Sequence, residues 1–225
     1  MKLRAKFQEE RHSRAGGNPC NSPHPVCEVS WVPAFAGITL ALVASLLSSD
    51  AALAHTGAEH ALSFASGFKH PFTGLDHMLA MVAVGLWAGL NGGRALWVWP
   101  VAFVGVMVLG GALGISGFAM PMVEAGILAS VVVLGLLVLA AAKLPVAAGA
   151  ILVSAFALLH GHAHGAELPG DAAAITYAAG FAIATAVLHA IGIGVSRMAA
   201  SANGRLAVRG AGALVAAAGV ALALT

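Results

Sequence analysis

Six runs of apolar residues, 71–90, 97–115, 122–142, 144–164, 172–195 and 206–225, follow one another with short polar breaks between them. A helix needs about 20 such residues to cross the hydrocarbon core of a bilayer, and each run is close to that length. Strands fit poorly, because the runs are continuously apolar rather than alternating and an open sheet edge leaves backbone groups unsatisfied in lipid. Composition agrees: 60% of the 225 residues are hydrophobic and 9% are charged, against roughly 25% charged in ordinary soluble domains. The expectation is an all-α integral membrane protein, a six-transmembrane-helix bundle with the lipid bilayer as its main partner. Gly110 and Gly114 share one helix face, a small-xxx-small pair of the kind that lets two membrane helices approach closely.

The first 30 residues are polar and lack apolar periodicity, whereas 38–47 form an apolar run that leads into Ala52-Leu53-Ala54. That pattern reads as a cleavable signal peptide cut after Ala54. Residues 1–54 are therefore expected to be a polar extension plus signal peptide, and 55–225 the six-helix membrane domain. The segments 13–19 and 31–39 resemble translated intergenic sequence, which suggests a misplaced start. With His55 outside, Arg94, Lys143, Arg197, Arg205 and Arg209 fall on cytoplasmic loops and Lys69 outside, the bias that orients membrane proteins. Glu59, Glu167 and Asp171 then lie externally. The expected location is a bacterial inner membrane, with both ends of the mature chain periplasmic.

The formal charge is +2 and the basic residues are scattered, so nucleic acid is not an expected partner. Both cysteines, Cys20 and Cys27, precede the apolar body. Thiolate ligation and cysteine catalysis are thereby excluded from that body, and a metal site there would use nitrogen and oxygen.

Eight of the ten histidines follow Ala54, and two groups stand out: His70-Pro71-Phe72-Thr73-Gly74-Leu75-Asp76-His77 and His160-Gly161-His162-Ala163-His164-Gly165. On one continuous helix, residues seven apart return to nearly the same face, so His70 and His77 are expected to point into one groove, with Asp76 about 100° round from His77. His160 and His164 share a face and His162 points away. Asp76, and Glu124 just inside the third run, should face the bundle interior or water, since an ionisable group facing lipid costs about 2.5–3.5 kcal/mol. Glu124 also has a simpler reading, as a complement to a helix N-terminus. Imidazole with carboxylate suits divalent Ni²⁺, Co²⁺ and Zn²⁺. Seventeen residues beyond Ala172, His189 is expected about 25 Å inward, near the cytoplasmic interface, as a second metal station or as a hydrogen-bonded packing residue. His55 and His60 are expected on the exposed external end.

These residues resemble the HupE/UreJ family of nickel/cobalt permeases. The resemblance rests on Ala54-His55-Thr56-Gly57, on His70-Pro71 with Gly74, Asp76 and His77, and on the stretch from Leu79 to Trp87. It continues in Phe156-Ala157-Leu158, His160-Gly161 and Ala163-His164-Gly165. It implies a six-helix secondary permease, not an enzyme and without a resident cofactor, that carries Ni²⁺ or Co²⁺ inward to supply hydrogenase or urease assembly. By matched motif, His70, Asp76, His77, His160 and His164 are the implied metal residues. Residues 1–30 have no counterpart in the pattern.

Two other classes compete. Histidines that hold ions without moving them would make a membrane metal sensor or store. Gly114-Ile115-Ser116-Gly117 matches the nucleophile pattern of rhomboid intramembrane proteases, with His189 as a base, but serine catalysis needs the base within hydrogen-bond reach, and these two residues are expected at opposite membrane faces.

Overall fold

The computed structural model describes residues 63–168 and 172–225. The expected signal peptide and its cleavage point, with His55 and His60, lie outside the described residues. Among the described residues all regular structure is helical: α1 (Phe64–Lys69), a 3₁₀ turn (His70–Phe72), α2 (Leu75–Asn91), α3 (Ala95–Ile115), α4 (Val123–Leu139), α5 (Val146–Ala166), α6 (Ala172–Met198) and α7 (Ala202–Ala223). Each of the six apolar runs falls on one of α2 to α7. By length and composition α3, α5, α6 and α7 can each cross a membrane, and α1 with α2 can form a further, bent span. α4 is apolar but shorter, at 17 residues. The protein is a multi-pass, all-α membrane protein.

Local chemistry sets the helix limits. α2 ends at Gly92 and Gly93, whose φ of 72° and 53° lies in the left-handed region that costs glycine nothing. Pro145 precedes α5 and fixes its entry angle. Ser201 caps α7 by accepting a hydrogen bond from the Gly204 amide at 3.0 Å, so this helix starts before the expected residue 206. Arg205 and Arg209 consequently sit on helix α7 rather than on a loop, and Arg197 on the last turn of α6. Their long stems still carry the charges to the helix ends.

The first span departs most from expectation. α1 with its 3₁₀ turn meets α2 at a bend of 80°, so His70 and His77 are not two turns apart on one helix. Pro71 lacks an amide donor, and Gly74 takes an extended conformation (ψ 111°) as the N-cap of α2. Together they interrupt the helix inside an apolar run that looks continuous in sequence.

The helices pack in pairs, α3 on α5, α2 on α6 and α4 on α7, with α1 laid across α6. Glycines line each seam. Gly110 and Gly114 of α3 face the backbone of α5 from Leu158 to Ala166, and Gly161 and Gly165 return the contact against Met107 and Gly111. Gly85 and Gly192 do the same for α2 and α6, and Gly135 and Gly212 for α4 and α7. The small-xxx-small pair expected on α3 thus has a matching pair on α5. Large side chains fill the centre between pairs, including Trp87, Trp99, Phe103 and Met81, all fully buried.

Lys69 apart, the basic residues gather at one end. Lys143 Nζ donates to the Leu90 carbonyl, Arg209 Nε donates to the Leu139 carbonyl at 2.7 Å, and Arg197 lies beside Gly92. At the same end the Ala142 carbonyl accepts from both Trp87 Nε1 (2.9 Å) and Asn91 Nδ2 (3.1 Å). The two histidine groups lie at the opposite end.

Candidate functional site

The bend at Thr73–Gly74 has a purpose visible in what it places. α1 seats on α6 through the backbone contacts of Gly67 with Tyr177 and of Gly180 with Phe64. This delivers His70 to the top of the bundle, its ring 4.6 Å from that of His164 and beside Tyr177 and Phe181. α2 then brings His77 in from another direction. Its ring lies 4.4 Å from His164 and 4.9 Å from His160, centre to centre. His164 therefore joins two histidines that the helix break separates.

Hydrogen bonds decide which nitrogens are available. Asp76, on the first turn of α2, accepts from the His77 backbone amide at 2.9 Å and from His77 Nδ1 at 2.8 Å. A carboxylate acceptor makes Nδ1 the protonated nitrogen, which leaves the lone pair on Nε2. His160 is set the same way, because its Nδ1 donates to the Phe156 carbonyl at 2.9 Å. His77 Nε2, His160 Nε2 and both ring nitrogens of His164 are buried without a hydrogen-bond partner. A buried polar group left unpaired costs about 1–3 kcal/mol, so the four together burden the fold by several kcal/mol. Packing histidines are ordinarily hydrogen-bonded. Gathering three rings in this condition makes chemical sense if a cation visits them.

Among the described residues no three His, Cys, Asp or Glu side chains already stand in metal-ligand geometry. The imidazoles are neighbours whose lone pairs have not converged on one point. Glu124 is exposed on the first turn of α4, and the contacts of the cluster do not include it. His162 faces away as expected: it is buried, and its Nε2 donates to the Phe118 carbonyl at 2.6 Å.

His189 lies deeper inside the bundle than counting from Ala172 suggests. α6 runs on to Met198, so nine residues, about 14 Å of helix, separate His189 from that end. It is 1% exposed, neither ring nitrogen has a partner, and its ring meets Phe103 edge-on at 5.0 Å. Ser116 does not pair with it: the Ser116 hydroxyl donates to the Leu113 carbonyl at 2.7 Å. Phe103, which touches His189, lies thirteen residues before Ser116 on α3, about 20 Å away along the axis.

Three neighbours escaped sequence reasoning. Tyr177 and Phe181 flank His70 and His164, and Glu167 stands at the C-terminal cap of α5. Tyr177 is the lone tyrosine of the chain, and Glu167 follows His164 by one helical turn; either signal could have drawn attention. Beside the cluster, between α3, α5 and α6, lies a cavity of about 380 Å³ whose walls include His164, Met107, Ile115 and Phe181. Its lining is almost wholly apolar, which suits lipid chains better than a hydrated ion.

A family model described as HupE / UreJ protein matches residues 42–222. The curated "Protein HupE" of Rhizobium leguminosarum bv. viciae is 50% identical over 188 residues, covering 84% of this chain and 97% of that protein. No solved structure matches. The matched region takes in both histidine groups, Asp76, Glu124 and His189, and on this footing the chain belongs to the HupE/UreJ family.

Proposed function

We propose that the protein is a secondary permease carrying Ni²⁺, with Co²⁺ as the alternative cargo, inward across the bacterial inner membrane to supply hydrogenase or urease assembly. The observation that carries this reading is the cluster of His70, His77, His160 and His164 with Asp76 at one end of a HupE/UreJ bundle, in which His77, His160 and His164 hold the unpaired ring nitrogens. Borderline divalent ions prefer such nitrogen donors. Donors that are close but not converged suit a cargo that must leave again, since conduction needs binding weak or divided enough for release. His189 supplies a second, inner station, and Glu124 a carboxylate near the outer surface.

Reconstituted protein tests it. Vesicles should accumulate ⁶³Ni well beyond a few ions per chain, where a sensor or store saturates at its own stoichiometry. His189→Ala should slow uptake at least fivefold while external binding stays within about twofold of wild type. His162→Ala should transport normally. Unchanged uptake by His189→Ala removes the inner station.

In this reading α2 to α7 make six spans, the first entering through the bend, with the basic end cytoplasmic and the histidine cluster periplasmic. In a background without Cys20 and Cys27, a cysteine replacing Leu168 should react with a membrane-impermeant reagent in intact cells. One replacing Asn203, which is exposed at the start of α7, should react after permeabilisation. The opposite pattern reverses the topology.

A further inference from the structure

We infer that Phe103 is the barrier of the pathway, a hydrocarbon ring that separates the outer imidazole cluster from His189 and must swing aside for each ion. This rests on the permease reading and adds to it a residue without any ligating atom.

The rings form a file through the bundle. Centre to centre, His70 to His164 is 4.6 Å, His164 to His77 is 4.4 Å and His77 to His160 is 4.9 Å. Phe103 follows His160 at 5.8 Å, and His189 follows Phe103 at 5.0 Å. Among the described residues no ring contact joins His160 to His189 directly. Phe103 is fully buried, and unpartnered nitrogens stand on both sides of it, Nε2 of His160 and both nitrogens of His189. A divalent ion leaving His160 meets a buried benzene ring that offers neither a lone pair nor water, so the closed ring holds the two stations apart. Once the ring moves, the ion can pass from one imidazole to the other.

The buried face of α3 holds this ring less firmly than its neighbour Trp99. One turn toward the basic end, Trp99 is anchored: it stacks on Trp87 at 4.1 Å and its Nε1 donates to the Val146 carbonyl at 2.9 Å. One turn the other way is Met107, an unbranched thioether that repacks readily and holds a weak contact from the Thr185 hydroxyl at 3.7 Å. Phe103 lies between them without a polar handle. Pro100, inside the helix three residues earlier, withdraws a backbone donor just below it, where a helix bends most easily.

A hydrocarbon barrier stops any ion that imidazole does not hold, so the test uses one that prefers oxygen. Vesicles of wild type, Phe103→Ala, Phe103→Leu and Phe103→Trp are compared for ⁶³Ni binding, ⁶³Ni uptake and Mg²⁺ influx read by an internal dye. Mg²⁺ is poorly held by nitrogen ligands. Wild type should admit ⁶³Ni and exclude Mg²⁺. Phe103→Ala should pass Mg²⁺ at least tenfold faster than wild type, with Phe103→Leu between the two. Phe103→Trp should bind ⁶³Ni within about twofold of wild type yet take it up at least tenfold more slowly. If the alanine variant does not assemble, the leucine and tryptophan variants decide alone. A leucine or alanine variant as tight to Mg²⁺ as wild type, or a tryptophan variant that transports at the wild-type rate, overturns the barrier. Wild-type vesicles that take up no ⁶³Ni overturn the permease reading itself, a separate and recognisable result.

Discussion

Replacing Asp76 by alanine should reduce Ni²⁺ uptake to background while the protein still reaches the membrane. The carboxylate touches the site through His77: Oδ1 accepts from both the backbone amide and Nδ1 of that residue. Without it, His77 loses the partner that fixes its ring orientation and keeps its lone pair on Nε2. Loss of such an outer partner typically costs 10- to 100-fold in metal affinity. The structural cost is smaller, since the remaining role of Asp76 is to complement the N-terminus of α2, worth about 0.3–1 kcal/mol. Function should thus fail well before folding does. Asp76→Asn keeps an acceptor oxygen without the charge and should fall between alanine and wild type. ⁶³Ni binding and uptake, normalised to protein in the membrane, measure both, and wild-type uptake by Asp76→Ala would falsify the role given to this residue.

The largest stability effect is expected at Gly161. A Cβ built there runs into the Met107 carbonyl and comes within 2.9 Å of the Gly111 amide. Backbone cannot step aside as a flexible side chain can, so α3 and α5 must separate. Gly161→Leu should cost about 3 kcal/mol, the upper end of ordinary overpacking. The separation also shifts His160 and His164, which flank this glycine, so ⁶³Ni binding should fall with stability. Gly210 on α7 is the control, because a Cβ there meets nothing within 4 Å. Gly210→Ala should be neutral or add up to about 1 kcal/mol through helix propensity. Heat resistance of the detergent-solubilised variants reads both. A Gly161→Leu protein as resistant as wild type contradicts the backbone contact between α3 and α5.

Much of the architecture is legible in the chain itself. The six apolar runs map onto six helices because a span of lipid-compatible residues has few other ways to satisfy its backbone. The spacing of His160, His162 and His164 reports their faces correctly, since they lie on an unbroken helix. The same reasoning fails between His70 and His77. An i to i+7 relation holds on a continuous helix, and neither Pro71 nor Gly74 breaks the hydropathy pattern from which continuity was inferred. Partner choice is equally hidden: Gly110 and Gly114 announce that α3 has a close neighbour but not that it is α5. Phe103 was invisible for a related reason. A phenylalanine in an apolar run looks like its neighbours until the fold puts a histidine on each side of it.

The hydrogen bonds of Trp87 and Asn91 to the Ala142 carbonyl and of Lys143 to the Leu90 carbonyl tie the basic end of the bundle together, and any opening there would have to break them. Each bond contributes about 0.5–1.5 kcal/mol net, so the three favour the clasped form by roughly 2–4 kcal/mol. At equilibrium about one molecule in thirty to one in a thousand would then be unclasped at any moment. In the proposed permease, an ion held at His189 would wait for that minority form, whereas the outer cluster would face no such wait. Turnover would accordingly respond to weakening of these three bonds more steeply than to metal concentration once the outer cluster is filled.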